Sequence, residues 1–156
     1  MFPLLLRWLS RRSLGFVHLL GTWVGWVGYL ASATYRHRFD ANAARAGIAA
    51  ADRRAAIGQA GRMVAETPKL WLRPPGQPLA PPVQWVDAER IERSLDAGRG
   101  LVLLTPHLGA FEVIAQAYAE RFGARWPMTA LYRPAKKAWL RELVQTARAR
   151  PGLLTA

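Results

Sequence analysis

A run of twenty residues without a charged side chain, positions 14–33, constrains this chain more than any other feature of it. The run reads LGFVHLLGTWVGWVGYLASA, and about 20 mainly apolar residues in a helix are enough to cross the hydrocarbon core of a bilayer. Trp23, Trp26 and Tyr29 are of the kind that collects at membrane–water interfaces. The run therefore predicts a membrane helix, and residues 1–35 are interpreted as an N-terminal membrane anchor.

Arginines flank this run on both sides. Basic residues directly after an apolar segment resist export and mark the cytoplasmic side. We therefore expect a retained transmembrane helix rather than a signal peptide cleaved at residues 31–33. A helix lying flat in the membrane interface is the second option, because basic flanks suit that arrangement too. The flanking arginines are Arg7, Arg11 and Arg12 before the run, and Arg36, Arg38 and Arg45 after it.

The charge of the whole chain is strongly positive, with 22 Lys and Arg against 10 Asp and Glu, a net charge of +12. Such a surface favours an anionic partner. The apolar run beside the charge favours a membrane surface, and the chain carries no recognisable nucleic-acid motif, so we expect no nucleic acid. The absence of cysteine excludes disulfides, thiolate nucleophiles and thiolate metal sites.

Residues 36–82 predict a basic helical region followed by a linker. Residues 36–49 suggest a short helix that stops at Gly47. Asp52 is the predicted N-cap of the next helix, which Pro68 is expected to bend or break. Five prolines close together at the end of the region predict an extended linker.

Residues 83–156 alternate between strand and helix patterns, which predicts an α/β fold with a parallel sheet and flanking helices. Residues 101–104, LVLL, are apolar at every position, as in a strand buried on both faces. Only about three strands are available, fewer than open α/β sheets usually have. The predicted strands are 83–86, 101–104 and 128–131, and the predicted helices are 88–95, 111–122 and 139–149.

The residues directly after the expected buried strand carry the candidate chemistry. They read TPHLGAFE, and loops at the carboxyl ends of parallel strands are where α/β folds place ligands. If Pro106 and Gly109 break the helix, Glu112 can accept a hydrogen bond from one ring nitrogen of His107. The other nitrogen can then take a proton from a hydroxyl. On spacing alone, a structural role explains the pair better than catalysis does. In that role His107 caps the helix, and Glu112 in the first turn interacts favourably with the helix dipole.

The wider context resembles a known family. Residues 98–112, GRGLVLLTPHLGAFE, resemble the first motif of the lysophospholipid acyltransferase superfamily, and TALYRP at 129–134 lies at a matching distance. Within it, the chain looks most like the lipid A biosynthesis acyltransferases of the lauroyl/myristoyl type. That resemblance implies a partial glycerolipid-acyltransferase-like sheet at the cytoplasmic face of the bacterial inner membrane. Because members are longer, we expect this chain to be truncated, with 83–156 as the N-terminal part of the acyltransferase domain.

The resemblance also implies an activity, the transfer of a fatty acyl chain from acyl carrier protein to a hydroxyl of a lipid A precursor among membrane lipids. No cofactor and no metal are expected. His107 would be the general base and Glu112 its orienting acid. Arg133 and Tyr132 would belong to the block that contacts acceptor phosphate, although Arg133 is also explained as a solvated loop cation.

Backbone N–H groups around Gly109 are candidates for stabilising the oxyanion, and Arg148 and Arg150 are candidates for extending an anion site or simply for a basic helix end. The alternative function is a catalytically inert membrane protein that binds anionic lipid through its arginine-rich surface. Such binding would fall with salt and would not depend on His107.

Overall fold

The uncharged run forms a helix, as predicted. In the computed structural model, which describes residues 2–74 and 76–156, the helix covers Leu14–Ala31. Ser13 caps it by accepting a hydrogen bond from the N–H of Phe16 at 3.3 Å. Within the described ranges, this is the one helix whose length and composition would let it cross a membrane.

The chain divides into two units, Met1–Leu72 and Arg73–Ala156. All of the secondary-structure elements described in the first unit are helices. The described part of the second unit contains three helices and two short strands. In chain order the elements are α1 Phe2–Ser10, α2 Leu14–Ala31, α3 Ala33–Arg45, α4 Ala50–Trp71, α5 Ala88–Asp96, α6 Glu112–Phe122, β1 Met128–Ala130, α7 Ala138–Arg148 and β2 Leu153–Thr155.

Helices α2 and α4 of the first unit approach each other backbone to backbone. A Cβ atom added to Gly21 would lie 2.7 Å from the Cα of Arg62, and one added to Gly61 would lie 2.7 Å from the Cα of Gly25. A Cβ on Gly25 would collide with the carbonyl oxygen of Ile57. We call Gly21, Gly25 and Gly61 the glycine seam, because only glycine permits this packing.

Helix α4 corrects two predictions. It begins at Ala50 with Ala49 as N-cap, so Asp52 is a first-turn acid and not the cap. It also continues through Pro68 to Trp71. Pro68 lies in the last turn, where its missing N–H removes a single helical hydrogen bond. That turn is held from outside by Lys69, whose Nζ donates to the carbonyl oxygen of Ser10 at 3.0 Å.

The short helix before α4 follows its prediction more closely. It covers Ala33–Arg45 and ends where Gly47 takes a positive φ of 67°. The N–H of Gly47 donates to the carbonyl of Ala44, and that of Ile48 donates to Ala43. Left-handed glycine just beyond a helix is the usual way to satisfy its last carbonyls.

The second unit has its core between α5 and α6. Ala88, Tyr118 and Phe122 are buried there, and Trp85 packs edge-on against Phe122 with ring centroids 5.1 Å apart. Burial raises the pKa of the Tyr118 hydroxyl. Partly buried apolar side chains surround this cluster, namely Trp85, Ile91, Leu95, Trp126 and Met128.

The sheet is smaller than predicted. Strands β1 and β2 pair in parallel, with Met128 opposite Leu153, and form a two-stranded sheet. Helices α5, α6 and α7 lie within a residue of their predicted bounds, whereas β2 follows the Gly152 turn and was not predicted. The second unit is therefore mainly helical, with one short parallel ladder in place of a larger α/β sheet.

Two predicted strands do not form. Residues 83–86 and 101–104 have no strand assignment, and Val102 and Leu104 are 83% and 92% exposed. An all-apolar run indicates that a segment could be buried on both faces. A strand, however, also needs a neighbouring strand to which it can hydrogen-bond. The ladder among the described residues consists of β1 and β2 alone, so 101–104 stays unpaired and exposed.

Candidate active site

His107 lies on an exposed loop directly before α6. Its ring packs against that of Phe111, with centroids 4.3 Å apart and a tilt of 40°. Gly109 has a positive φ of 54°, and the N–H of Leu108 donates to the carbonyl of Pro106 at 2.9 Å. The proline and the glycine thus form the predicted turn, which holds the imidazole off the helix axis and open to solvent.

Glu112 is the first residue of α6, but its carboxylate is engaged elsewhere. Oε1 accepts a hydrogen bond from Nη2 of Arg148 at 2.9 Å, and both side chains are mostly buried. Among the described residues no hydrogen bond joins His107 to Glu112. A guanidinium forms a stronger, charge-assisted bond with a carboxylate than a neutral imidazole does, which accounts for the difference from the expected pairing.

Arg148 makes a second contact within the same site. Its guanidinium carbon lies 5.0 Å from the centre of the Tyr132 ring. Tyr132 is fixed in turn by its N–H, which donates to the carbonyl of Ala156 at 3.2 Å, beyond the end of the parallel ladder. One side chain from the last turn of α7 therefore connects Glu112 of α6 with the segment after β1.

Sequence reasoning placed Arg148 only at the margin of an anion site and missed this central position. Its partner lies 36 residues away in the chain. A cation in the last turn of a helix interacts favourably with the helix dipole, whichever way its side chain points. The local sequence therefore gives no sign that Arg148 turns toward Glu112.

The remaining arginine candidates behave differently from one another. The side chain of Arg133 is exposed, and in the described part of the chain it forms no hydrogen bond or ion pair. Arg150 is buried, and its Nη2 donates to the carbonyl of Arg73 at 2.6 Å. Burial first, and then repulsion from Arg73, lower the pKa of Arg150. Arg150 thus stabilises the fold from inside, whereas the side chain of Arg133 is exposed to solvent.

The backbone at the start of α6 offers hydrogen-bond donors. The N–H groups of Leu108 and Phe111 are used within the turn. Those of Gly109 and Ala110 donate to no acceptor in the residues described, and both residues are exposed. Adjacent free N–H groups at the start of a helix can stabilise a developing negative charge.

Residues 49–154 match the family described as bacterial lipid A biosynthesis acyltransferase, which is more than half of the chain. The chain belongs to this family. No curated protein and no solved structure gave a match. The matched region of this lipid A biosynthesis acyltransferase contains all of the candidate site residues, whereas α2 precedes it. Among the described residues, no group of three or more His, Asp or Glu side chains could hold a metal ion.

Replacing Arg148 with alanine is expected to destabilise the acyltransferase by about 1–3 kcal/mol, because the mostly buried Glu112 carboxylate loses a charged partner. Arg141→Ala on the same helix is the matched control, since Arg141 is exposed. Thermal unfolding followed by circular dichroism compares the two variants. Equal shifts in melting temperature would show that the Arg148–Glu112 pair contributes no more to stability than the exposed Arg141 does.

Proposed function

We propose that this acyltransferase moves a fatty acyl chain from acyl carrier protein to a hydroxyl of a lipid A precursor, with His107 as general base. Membership of the family supports an acyl donor and a lipid A precursor as acceptor. The observation that carries the proposal is the exposed imidazole of His107 beside the free N–H groups of Gly109 and Ala110. A base and an oxyanion site next to each other are what acyl transfer to a hydroxyl requires.

The proposed reaction needs no protein nucleophile. A ring nitrogen of His107 takes the proton of the acceptor hydroxyl while the hydroxyl oxygen attacks the thioester carbonyl. The N–H groups of Gly109 and Ala110 donate to the resulting oxyanion. When the tetrahedral intermediate collapses, the carbon–sulfur bond breaks, the ester forms, and His107 returns the proton to the departing thiolate.

Glu112 is proposed as the acid that orients His107 once the acceptor has bound. Without substrate its carboxylate pairs with Arg148. An anionic group of the acceptor would compete for that guanidinium and release the carboxylate toward the imidazole. Catalytic hydrogen bonds are often long or absent before substrate binds and tighten in the complex, so the pairing with Arg148 is compatible with this role.

We further propose that the exposed Arg133 binds a phosphate of the lipid A precursor, with Tyr132 beside it. A guanidinium suits bidentate contact with phosphate oxygens. Tyr132, the residue before Arg133, already contacts a second guanidinium, that of Arg148. This arrangement favours a phosphorylated lipid over an uncharged acceptor.

The cellular setting belongs to the same proposal. A lipid A biosynthesis family and an apolar N-terminal helix support association with a membrane. We place the enzyme at the bacterial inner membrane with its catalytic part facing the cytoplasm. The net charge of +12 would attract both anionic lipids and an acidic carrier protein. We also propose that the chain is organised as an anchor at 1–35, a basic region and linker at 36–82 and an acyltransferase part at 83–156.

Binding of anionic lipid without chemistry is the second candidate function. It is favoured by the apolar side chains exposed on α2, of which Trp23 is 66% exposed, next to flanking arginines. It predicts membrane association that weakens with salt. It predicts no covalent product.

One assay separates the two candidates. The full chain is incubated in anionic vesicles with a lipid A precursor and acyl carrier protein that carries a radiolabelled acyl chain. We expect the label to move into the lipid phase as an ester. Release of free fatty acid alone would contradict the proposal that the lipid A precursor is the acyl acceptor. Retention of the label on the carrier would favour lipid binding without chemistry.

A further inference from the structure

Helix α2 shows two different faces. Val17 is fully buried, and Gly21 and Gly25 are buried in the glycine seam against α4. The other face is a stripe of large apolar side chains, each more than half exposed and spaced three or four residues apart. We call this the apolar stripe, and it consists of Leu19, Trp23, Val27 and Leu30, which are 61%, 66%, 59% and 66% exposed.

The helix packed against α2 is strongly charged. Helix α4 has six charged side chains among its 22 residues. Two of them contact α2: Nε of Arg62 donates to Oγ1 of Thr22 at 2.8 Å, and Oε2 of Glu66 lies 2.8 Å from Nε2 of His18. The six are Asp52, Arg53, Arg54, Arg62, Glu66 and Lys69.

This pairing conflicts with a helix that crosses the bilayer. Thr22 lies at the middle of α2, so a centred, spanning α2 would place Arg62 level with the bilayer midplane. Charged side chains there are costly. The glycine seam ties the two backbones together, so α2 cannot cross without α4 beside it. Either the seam opens in the membrane, or α2 does not cross.

We propose that α2 lies in the plane of the membrane, with the apolar stripe in the acyl chains of one leaflet and α4 on the headgroup side. The exposed residues of α4 include Asp52, Arg54 and Gln59, which suit water and headgroups. Arginines precede and follow α2 in the sequence, so anionic lipid headgroups match the ends of the stripe. Of the two arrangements that the sequence allowed, this selects the flat one over the transmembrane one.

Single cysteines test the proposal, because the chain has none of its own. Ser10→Cys and Thr34→Cys place one thiol before α2 and one after it. In sealed, inside-out membrane vesicles, both should react with a membrane-impermeant maleimide to the same extent before and after detergent lysis. If one thiol reacts freely and the other only after lysis, α2 crosses the bilayer and the proposal is wrong.

A second measurement tests the stripe itself. Trp23→Glu should lower the fraction of full chain bound to phosphatidylglycerol-containing vesicles by roughly tenfold or more, since a large apolar side chain that would insert among the acyl chains is lost. Gln59→Glu, which adds the same charge on the exposed face of α4, should change binding little. Equal binding by both variants would overturn the proposal, as would a full chain that stays in the supernatant.

The in-plane arrangement of α2 does not depend on the proposed chemistry. The two cysteine positions and the apolar stripe lie in the first unit, whereas His107 lies in the second. A variant without His107 should give the same pattern. Failure of acyl transfer and failure of the in-plane arrangement are therefore seen in separate experiments.

Discussion

Replacing His107 with alanine is expected to lower the rate of acyl transfer by about 10²–10⁴-fold, the range over which a general base contributes. The variant keeps the turn at Gly109 and the free N–H groups that would hold the oxyanion. What it loses is the group that accepts the hydroxyl proton. The measurement is ester formation under single-turnover conditions, which separates chemistry from release of product.

The matched control is His37→Ala. His37 is also exposed, but it lies in α3, before the region that matches the family. Because His107 is exposed, its loss should cost little stability, so both variants should melt near the parent temperature. Full turnover by the His107→Ala enzyme would show that His107 is not the general base. A similar loss of rate in His37→Ala would point to an indirect cause.

Replacing Gly25 with alanine is expected to lower the stability of the first unit strongly. The new Cβ would meet the carbonyl oxygen of Ile57 and the backbone of Gly61. Overpacking of this kind costs typically about 1–3 kcal/mol. Here the obstacle is backbone rather than a flexible side chain, so we expect the upper part of that range and separation of α2 from α4.

Gly28→Ala gives the matched comparison on the same helix. A Cβ at Gly28 meets nothing within 4 Å. Since alanine is the better helix former, this variant should gain about 0.5–1 kcal/mol. Thermal unfolding in detergent micelles, followed by circular dichroism, should therefore shift in opposite directions for the two variants. Shifts of the same sign and size would mean that the glycine seam is not what holds these helices together.

Much of the helical structure is predictable because its signals are local. Helix α5 ends before Gly98, whose positive φ of 69° only glycine adopts easily, and α6 ends before Gly123. The turn around Gly109 follows from the same rule. Each of these features depends on residues a few positions apart, which is the range over which sequence patterns are informative.

The parts that could not be predicted depend on distant residues. The apolar run at 101–104 can form a strand only beside a neighbouring strand, and the sequence of the run does not show whether that neighbour is present. Pro68 lies inside α4 instead of ending it, and Lys69 in the same turn donates to the carbonyl of Ser10, 59 positions away. The bond from Arg148 to Glu112 spans 36 positions. In each case tertiary packing, not local preference, decided the result.

The small parallel ladder has a consequence for how the protein behaves in concentrated solution. In the part of the chain that the structure describes, no third strand joins either edge of the β1–β2 pair. The same unit displays residues 101–104, an uncharged segment with Leu104 92% exposed. Open strand edges and apolar segments of this kind are templates for pairing between molecules. Self-association through added strands should therefore grow with protein concentration, and purification is best done dilute and with lipid or detergent present.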